Sequence, residues 1–416
     1  MPIQVFPTPS AGASFSSQPP VNASSVLLDG SLVNSSSYST TVTGTGASFL
    51  LYANGAGTTT ITVGSDTYTV PAGSTVGTSA YTGSKSVTVN ATLSGTPSSF
   101  TASTMPSSSL WHDVAYGNGY FVAVAQFTTA GAYSTDGITW TASTMPSSQS
   151  WRSVTYGVVS GTGYFVAVAS GPTNAGAYST NGTTWTASTM PSSSSWTSVA
   201  YGLVGATPYF VAVQYAGTTA GAYSTNGTSW TASTMPSGGS TAGWVGVTYG
   251  NGYFVAVAGD SATTAGAYST NGTTWTASTM PGAAPSFWYG VAYGLVGATP
   301  TFVATIASLG TTGAYSTNGT SWTASTMPSS QRWRGVTYGN GYFVAVAAGP
   351  ATAGAYSTNG TTWTASTMPS ADWEDVIYGN GKFVVVQDSG TTAGAYYTFT
   401  LLPVAYGIYN GPTTTH

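Results

Sequence analysis

One string governs what this chain can fold into. Thr-Ala-Ser-Thr-Met-Pro begins at residues 101, 141, 186, 231, 276, 323 and 364. Each copy is followed by Trp-x-x-Val-x-Tyr-Gly, with the tryptophans at Trp111, Trp151, Trp196, Trp244, Trp288, Trp333 and Trp373. A period of about 40–48 residues marks an architecture of stacked units, each burying its faces against its neighbours. Every unit carries four strand signals, read as Trp111 to Tyr116, Tyr120 to Val124, Ala130 to Ser134 and, in the second copy, Thr183 to Ser188. Strands three and four are joined by Asp136-Gly137, or by Asn-Gly at 181, 226, 271, 318 and 359. That dipeptide suits the two positive-φ positions of a type I′ hairpin. Four antiparallel strands in a repeat of this length predict a β-propeller blade.

The two ends of the repeat array complete each other. The last unit has Trp373, Phe383 and Tyr396 but runs into Tyr397-Thr-Phe399, where Asn-Gly-Thr-Thr-Trp is due. The first Thr-Ala-Ser-Thr-Met-Pro, at 101, is a fourth strand without its first three, and Phe100 stands where the other copies have Trp. We expect residues 98–104 to complete the blade of 373–397, closing a seven-bladed all-β propeller over 97–397 and leaving no open sheet edge. Ahead of it, residues 1–20 read as an extended Pro- and Ser-rich arm, and 21–96 as a small all-β, sandwich-like docking domain of short strands between turns. Residues 398–416 form a C-terminal tail, either packed on the N-terminal domain or serving as a tether.

The turn Tyr133-Ser-Thr-Asp-Gly-Ile-Thr-Trp140 resembles the Asp-box of sialidase-like propellers, Ser-x-Asp-x-Gly-x-x-Trp, one residue short and with Asn for Asp in five of six copies. The fuller repeat, Gly-Asn-Gly-Tyr-Phe-Val-Ala-Val followed by Tyr-Ser-Thr-Asn-Gly-Thr-Thr-Trp, is similar to propellers of bacteriophage tail-fibre and other virion proteins. The first resemblance implies fold and not activity, because the Asp-box is a structural turn. The second implies a particle-attached binding or decoration role. Composition agrees with a particle surface. The chain has five Lys or Arg against nine Asp or Glu, no cysteine and a net charge of −4. That balance argues against nucleic acid as a partner. The N-terminus has no basic start and no long apolar run, and no segment reads as a membrane span. The expected location is the virion, and the expected partners are other virion proteins bound through the arm and β-domain. A homo-oligomer stays open.

All 13 tryptophans are repeat residues and so read as core between blades. The functional reading falls where copies disagree. Between residues 98 and 397, nine of the 11 charged residues fall on one face, formed by the four-one and two-three loops: Asp113, Arg152, Asp260, Arg332, Arg334, Asp372, Glu374, Asp375 and Asp388. The position after each first-strand Trp reads His112, Arg152, Thr197, Val245, Tyr289, Arg334 and Glu374, which should ring the channel mouth. Phe127, Tyr215, Phe287 and Tyr289 lie off the repeat pattern and are candidates for stacking on sugars. These positions suggest a recognition surface for a host-surface glycan or receptor.

Catalysis is not expected. Sialidase chemistry would need a convergent Arg triad, a Tyr-Glu pair and an acid Asp. The chain has three Arg, and Arg332 and Arg334 share one repeat, so convergence from separate blades is not anticipated. Adjacent strand positions point to opposite faces, which argues against a preformed carboxylate or metal cage at Asp372, Glu374 and Asp375. No cofactor and no metal are expected. Two alternatives to receptor binding stay open: a purely structural capsid-decoration or tail component, and a secreted glycan-active enzyme.

Overall fold

A computed structural model describes residues 97–401 except 216–218, 237–242, 261–264, 283–285 and 350, together with 25–28, 37–47, 49–54, 59–63, 65–70, 75–77, 81–90, 93–96 and 405–410. The anticipated arm, 1–20, lies outside the described residues. All described elements are strands, so none is a helix that could cross a membrane. The chain divides into two compact units, Met1–Thr96 with Phe399–His416, and Pro97–Thr398.

The smaller unit contains two four-stranded antiparallel sheets. One runs Ser37–Ala47, Tyr81–Asn90, Thr59–Val63, Asp66–Val70. The other runs Ser25–Leu28, Ala405–Asn410, Phe49–Asn54, Thr75–Gly77. Of the expected C-terminal stretch, residues 400–401 and 405–410 are described, and both take part in the pairing of this unit. Ala405–Asn410 is an interior strand with a partner on each side, and Thr400–Leu401 pairs with Leu93–Ser94.

In the larger unit each repeat builds a four-stranded antiparallel sheet in chain order. In the first, Leu110–Gly117, Tyr120–Gln126 and Thr128–Ser134 pair in succession, and the last of them pairs with the stretch starting at Thr141. The second strands explain their apolar run. Phe121, Val122, Ala123, Val124 and Ala125 are all fully buried, because neighbouring sheets cover both faces of the strand. The seven first-strand tryptophans are buried too. Trp111 Nε1 donates to the Ser107 carbonyl at 3.1 Å, and Trp151 and Trp373 make the same bond to Ser147 and Pro369, pinning the four-one loops.

Sheet meets sheet through the Tyr-Gly pair that ends each first strand. A Cβ on Gly157 would lie 2.1 Å from the ring of Tyr201, and one on Gly202 would lie 2.3 Å from Tyr249. Each glycine is thus the seat of the next repeat's tyrosine. The series runs on to Gly379, whose Cβ would meet Tyr116 of the first repeat at 2.2 Å. No sheet closes on itself, but the ends of the array also share strands. Ala393–Thr398 pairs with Thr101–Thr104, and Phe100, 6% exposed, packs against Tyr397.

The turns correct the hairpin expectation. At the three-four turns only glycine has positive φ, 72° at Gly137 and 74° at Gly182, so these are not type I′. A serine three places before that glycine organises the turn instead. Ser134 Oγ donates to Asp136 Oδ1 and accepts from the Gly137 amide, while the same Oδ1 accepts from Ile138 and Thr139 at 2.8 Å. Asn181 Oδ1 does the same for Thr183 and Thr184. The turn amides bind only the oxygen that Asp and Asn share, which explains their exchange between copies, although Asn271 Nδ2 also donates to Thr274 Oγ1 at 2.9 Å. The double positive-φ geometry belongs to the one-two turns, at Asn118-Gly119, Asn251-Gly252, Asn340-Gly341 and Asn380-Gly381. Asn380 Nδ2 reaches the Thr135 carbonyl at 3.4 Å, so one-two and three-four turns share a face.

Candidate functional site

The first strands of all seven repeats line a central cavity of about 390 Å³. The side chains that reach it are set by a recurrent irregularity. In every repeat the register slips just after the Trp, between Trp111 and Asp113 in the first and between Trp373 and Asp375 in the last. The residue after the Trp is the extra one of a β-bulge, a device that re-aims a side chain. Simple alternation therefore fails here. His112 and Asp113 both line the cavity, as do Glu374 and Asp375, contrary to the expectation that neighbours point apart.

The bulge residues converge on Glu374, the chain's only glutamate, 1% exposed. Glu374 Oε1 accepts from the Tyr289 hydroxyl and lies 3.1 Å from His112 Nε2, while Oε2 accepts from Arg334 Nη1. Arg152 Nη2 donates to the Tyr289 hydroxyl at 3.2 Å. Arg334 also stands 3.9 Å from Asp388 Oδ2 and holds its guanidinium 5.7 Å from the Tyr289 ring centroid. The other two bulge residues are spent on structure or packing. Thr197 donates to the Trp244 carbonyl at 2.6 Å, and Val245 is buried. The polar cluster is therefore one-sided.

Burial, with Arg152 and Arg334 nearby, holds His112 well below the usual histidine range. It is neutral at pH 7, and its Nε2 faces the Glu374 carboxylate. Burial and the Glu374 charge push Tyr289 upward, so it stays a phenol donor. Burial would lower Arg334, but Glu374 more than offsets this and keeps the guanidinium charged. Burial, reinforced by Glu374, pushes Asp388 up to about 6.

Above this layer a mouth cavity of about 540 Å³ is lined by His112, Arg152, Phe287, Tyr289, Arg332, Arg334 and Asp388 from the expected set, and by Gln126, Ala307, Ser308 and Leu309, which the expected set omits. Phe287 stacks on Tyr289 with centroids 6.4 Å apart. Leu309 is 71% exposed; its signal was its place in a two-three loop, off the repeat. All three arginines of the chain reach this one cavity. Their separation into two repeats does not keep them apart, because Arg332 and Arg334 flank Trp333 and share a side.

The remaining expected residues lie elsewhere. Asp113 and Asp375 serve the wall. Asp113 Oδ2 accepts from the Val154 amide at 2.8 Å, and Asp375 Oδ2 from Val114 at 3.4 Å, joining neighbouring first strands. Ser153 and Ser198 accept from the next strand in the same way, and Gly246, Gly290 and Gly335 allow direct approach. Burial raises both Asp113 and Asp375, and the facing Asp113 raises Asp375 further. Asp372 holds a loop, accepting from the Gly349 amide at 2.6 Å. Phe127 and Tyr215 are exposed and line neither cavity. The Asp260 side chain lies outside the described residues.

His112, Glu374 and Asp388 offer three ligand atoms within 4.8 Å of one another. Arg334 contacts both carboxylates, so its guanidinium already supplies the cation there, and a metal ion would have to displace it.

No family model and no curated protein matches the sequence. Among solved structures, a streptogramin B lyase is 14% identical, with 73% of this chain and 99% of that one covered at a TM-score of 0.60. A catalytically inactive virginiamycin B lyase from Staphylococcus aureus with quinupristin is also 14% identical, covering 71% and 99% at 0.59. YCF48 from Cyanidioschyzon merolae is 15% identical, covering 72% and 99% at 0.53. These neighbours are β-propellers, and the larger unit has that fold. They also correct one expectation. Lack of a sialidase constellation led to the expectation of no enzyme, yet a propeller of this fold is a lyase, so that exclusion does not stand.

Proposed function

We propose that the chain is a recognition propeller of a bacteriophage particle. In this reading it has seven blades, the last completed by residues 98–104, and it binds a host-surface glycan or receptor at the mouth. Closure is supported by the pairing of Ala393–Thr398 with Thr101–Thr104 and by Tyr116 on Gly379. The phage assignment rests on the resemblance of the repeat to tail-fibre propellers, and attachment through the smaller unit to other virion proteins goes with it. The observation that carries the binding reading is the gathering of all three arginines in one cavity of a chain with net charge −4. Three cations and one carboxylate, Asp388, line that cavity, with Glu374 in the layer beneath, and Asp388 is half-protonated near pH 6. The mouth therefore favours acid-bearing glycans over neutral ones.

The test is an array of neutral and acidic glycans probed with the full-length chain, with mass spectrometry of the glycans afterwards. Binding of acidic glycans that Arg152→Ala weakens is the expected result. No binding at all removes the receptor reading, and altered glycan masses make the site catalytic. A second reading, a decoration or tail subunit that binds its neighbours, is favoured by Val158, Leu203 and Leu295, each over 40% exposed on one-two turns. An image of the assembled particle with the one-two turns buried against a neighbouring subunit would establish it.

A further inference from the structure

Six described residues other than glycine have positive φ. Five are Asn118, Ser160, Asn251, Asn340 and Asn380, small polar residues in one-two turns. Asparagine tolerates this conformation well. The sixth is Phe127, at φ 56° and 73% exposed. For a bulky side chain that backbone is strained, and exposure means that little burial compensates.

Two sister repeats make the same left-handed turn at this place, while Asp260, Ser308 and Ser389 occupy it in three others without positive φ. Phe127 stands six residues after Phe121, just beyond the second strand. At the same distance from Phe165 and Phe343 stand Gly171 and Gly349, at φ 101° and 97°. Two sisters thus meet the left-handed turn with glycine, which adopts it without strain. The first repeat puts a large aromatic there and leaves it in water. Neither conformation nor core packing explains the choice.

The neighbour on its N-terminal side gives the ring a context. Gln126 lines the mouth cavity and is fixed there, its Oε1 accepting from Ser150 Oγ at 3.2 Å. Phe127 follows it in the chain, exposed and outside the cavity lining. A ligand with hydrogen-bonding groups in the cavity and a flat apolar face over its edge would meet polar and aromatic surface in that order. A pyranose ring has that combination.

Resting on the mouth-binding reading above, we infer that Phe127 is a rim platform on which a sugar ring of the mouth-bound glycan stacks, retained at the expense of backbone strain. Two-sided evidence follows from one substitution. Phe127→Gly installs the residue that the two left-handed sister turns use, so the full-length protein should melt no lower than wild type. Its affinity for an array-positive glycan should fall about two- to tenfold, the loss of one aromatic stacking contact. Phe127→Trp should retain binding, and Phe127→Leu should lose it while keeping similar apolar bulk.

Calorimetric titration of wild type and the three variants with that glycan, alongside melting curves, reads all of these. Wild-type binding left unchanged by Phe127→Gly overturns the platform and spares the mouth-binding reading. A lower melting temperature for Phe127→Gly shows a structural role and also overturns the platform. No glycan binding by wild type overturns both readings.

Discussion

The join between the last and first repeats can be tested with a single methyl group. Gly379 has no positive φ, so alanine fits its backbone. The added Cβ would lie 2.2, 2.5 and 2.6 Å from Cγ, Cδ1 and Cδ2 of Tyr116. Ordinary carbon contact needs about 3.5–4.0 Å, so the ring must move by more than an ångström. Tyr116 is itself packed on Phe121, with centroids 4.6 Å apart, and Phe121 is fully buried. Overpacking of this kind costs about 1–3 kcal/mol, against a gain of about 0.4–1 kcal/mol from restricting the unfolded chain. The net expectation for Gly379→Ala is a loss on the order of 1–2 kcal/mol. Gly157→Ala is the internal standard, because its Cβ would meet Tyr201 at 2.1 Å within the array. Urea denaturation of the two variants should give the same loss. If Gly379→Ala is neutral or stabilising while Gly157→Ala is not, the first and last repeats do not pack in solution and the closed ring is wrong.

Further expectations concern the mouth, the wall and the turns. Glu374→Gln leaves the Arg334 guanidinium without its carboxylate, and breaking such a pair costs about 3–5 kcal/mol when buried; with Arg334 a quarter exposed, the lower end or below is expected, and Arg334→Met in the same chain should recover part of it in a double-mutant denaturation cycle. Asp375 has its pKa raised on folding, so its stabilising contribution is complete below about pH 4 and is lost as pH rises through the folded value; Asp375→Asn should flatten that decline in pH-dependent melting curves. His112 is depressed on folding, so its contribution is present above about pH 6.5 and fades as pH falls; His112→Gln should remove the loss between pH 7 and 5. Asn181→Asp should change stability by under about 0.5 kcal/mol, whereas Asn181→Ala should cost about 1–2 kcal/mol, a cost typical of losing a backbone-capping side chain.

Much of the fold was legible because repeat positions carry simple physical demands. The Trp after each Thr-Ala-Ser-Thr-Met-Pro is buried, and Phe100 at the Trp position marks the spare strand that pairs with Ala393–Thr398. The Tyr-Gly pair was visible as a pattern, but its meaning was not. Glycine there is the seat for a ring from the next repeat, a contact between units that one unit's sequence does not display. The turn type was misread for a related reason. Asn-Gly occurs in both the one-two and three-four turns, and what separates them is Ser134 or its equivalent two residues earlier, which captures the turn amides.

The site was legible by position and illegible by direction. Lining up the copies picked out the residue after each Trp, and five of those seven form the polar layer around Glu374. Period-two reasoning then failed, because that residue is a bulge. The bulge lets His112 and Asp113 face the same interior yet do different work, one holding Glu374 and the other bonding the next strand. It also separates two kinds of divergence among the copies. At the second position after the Trp, exchanges among Asp, Ser and Gly follow how closely two strands approach. At the bulge itself, exchanges among His, Arg, Tyr and Glu have no such constraint from the wall. Selection on a ligand would therefore act on the bulge residues and on the loops above them, and a repeat-by-repeat exchange of bulge residues should change what is bound while leaving the wall bonds intact.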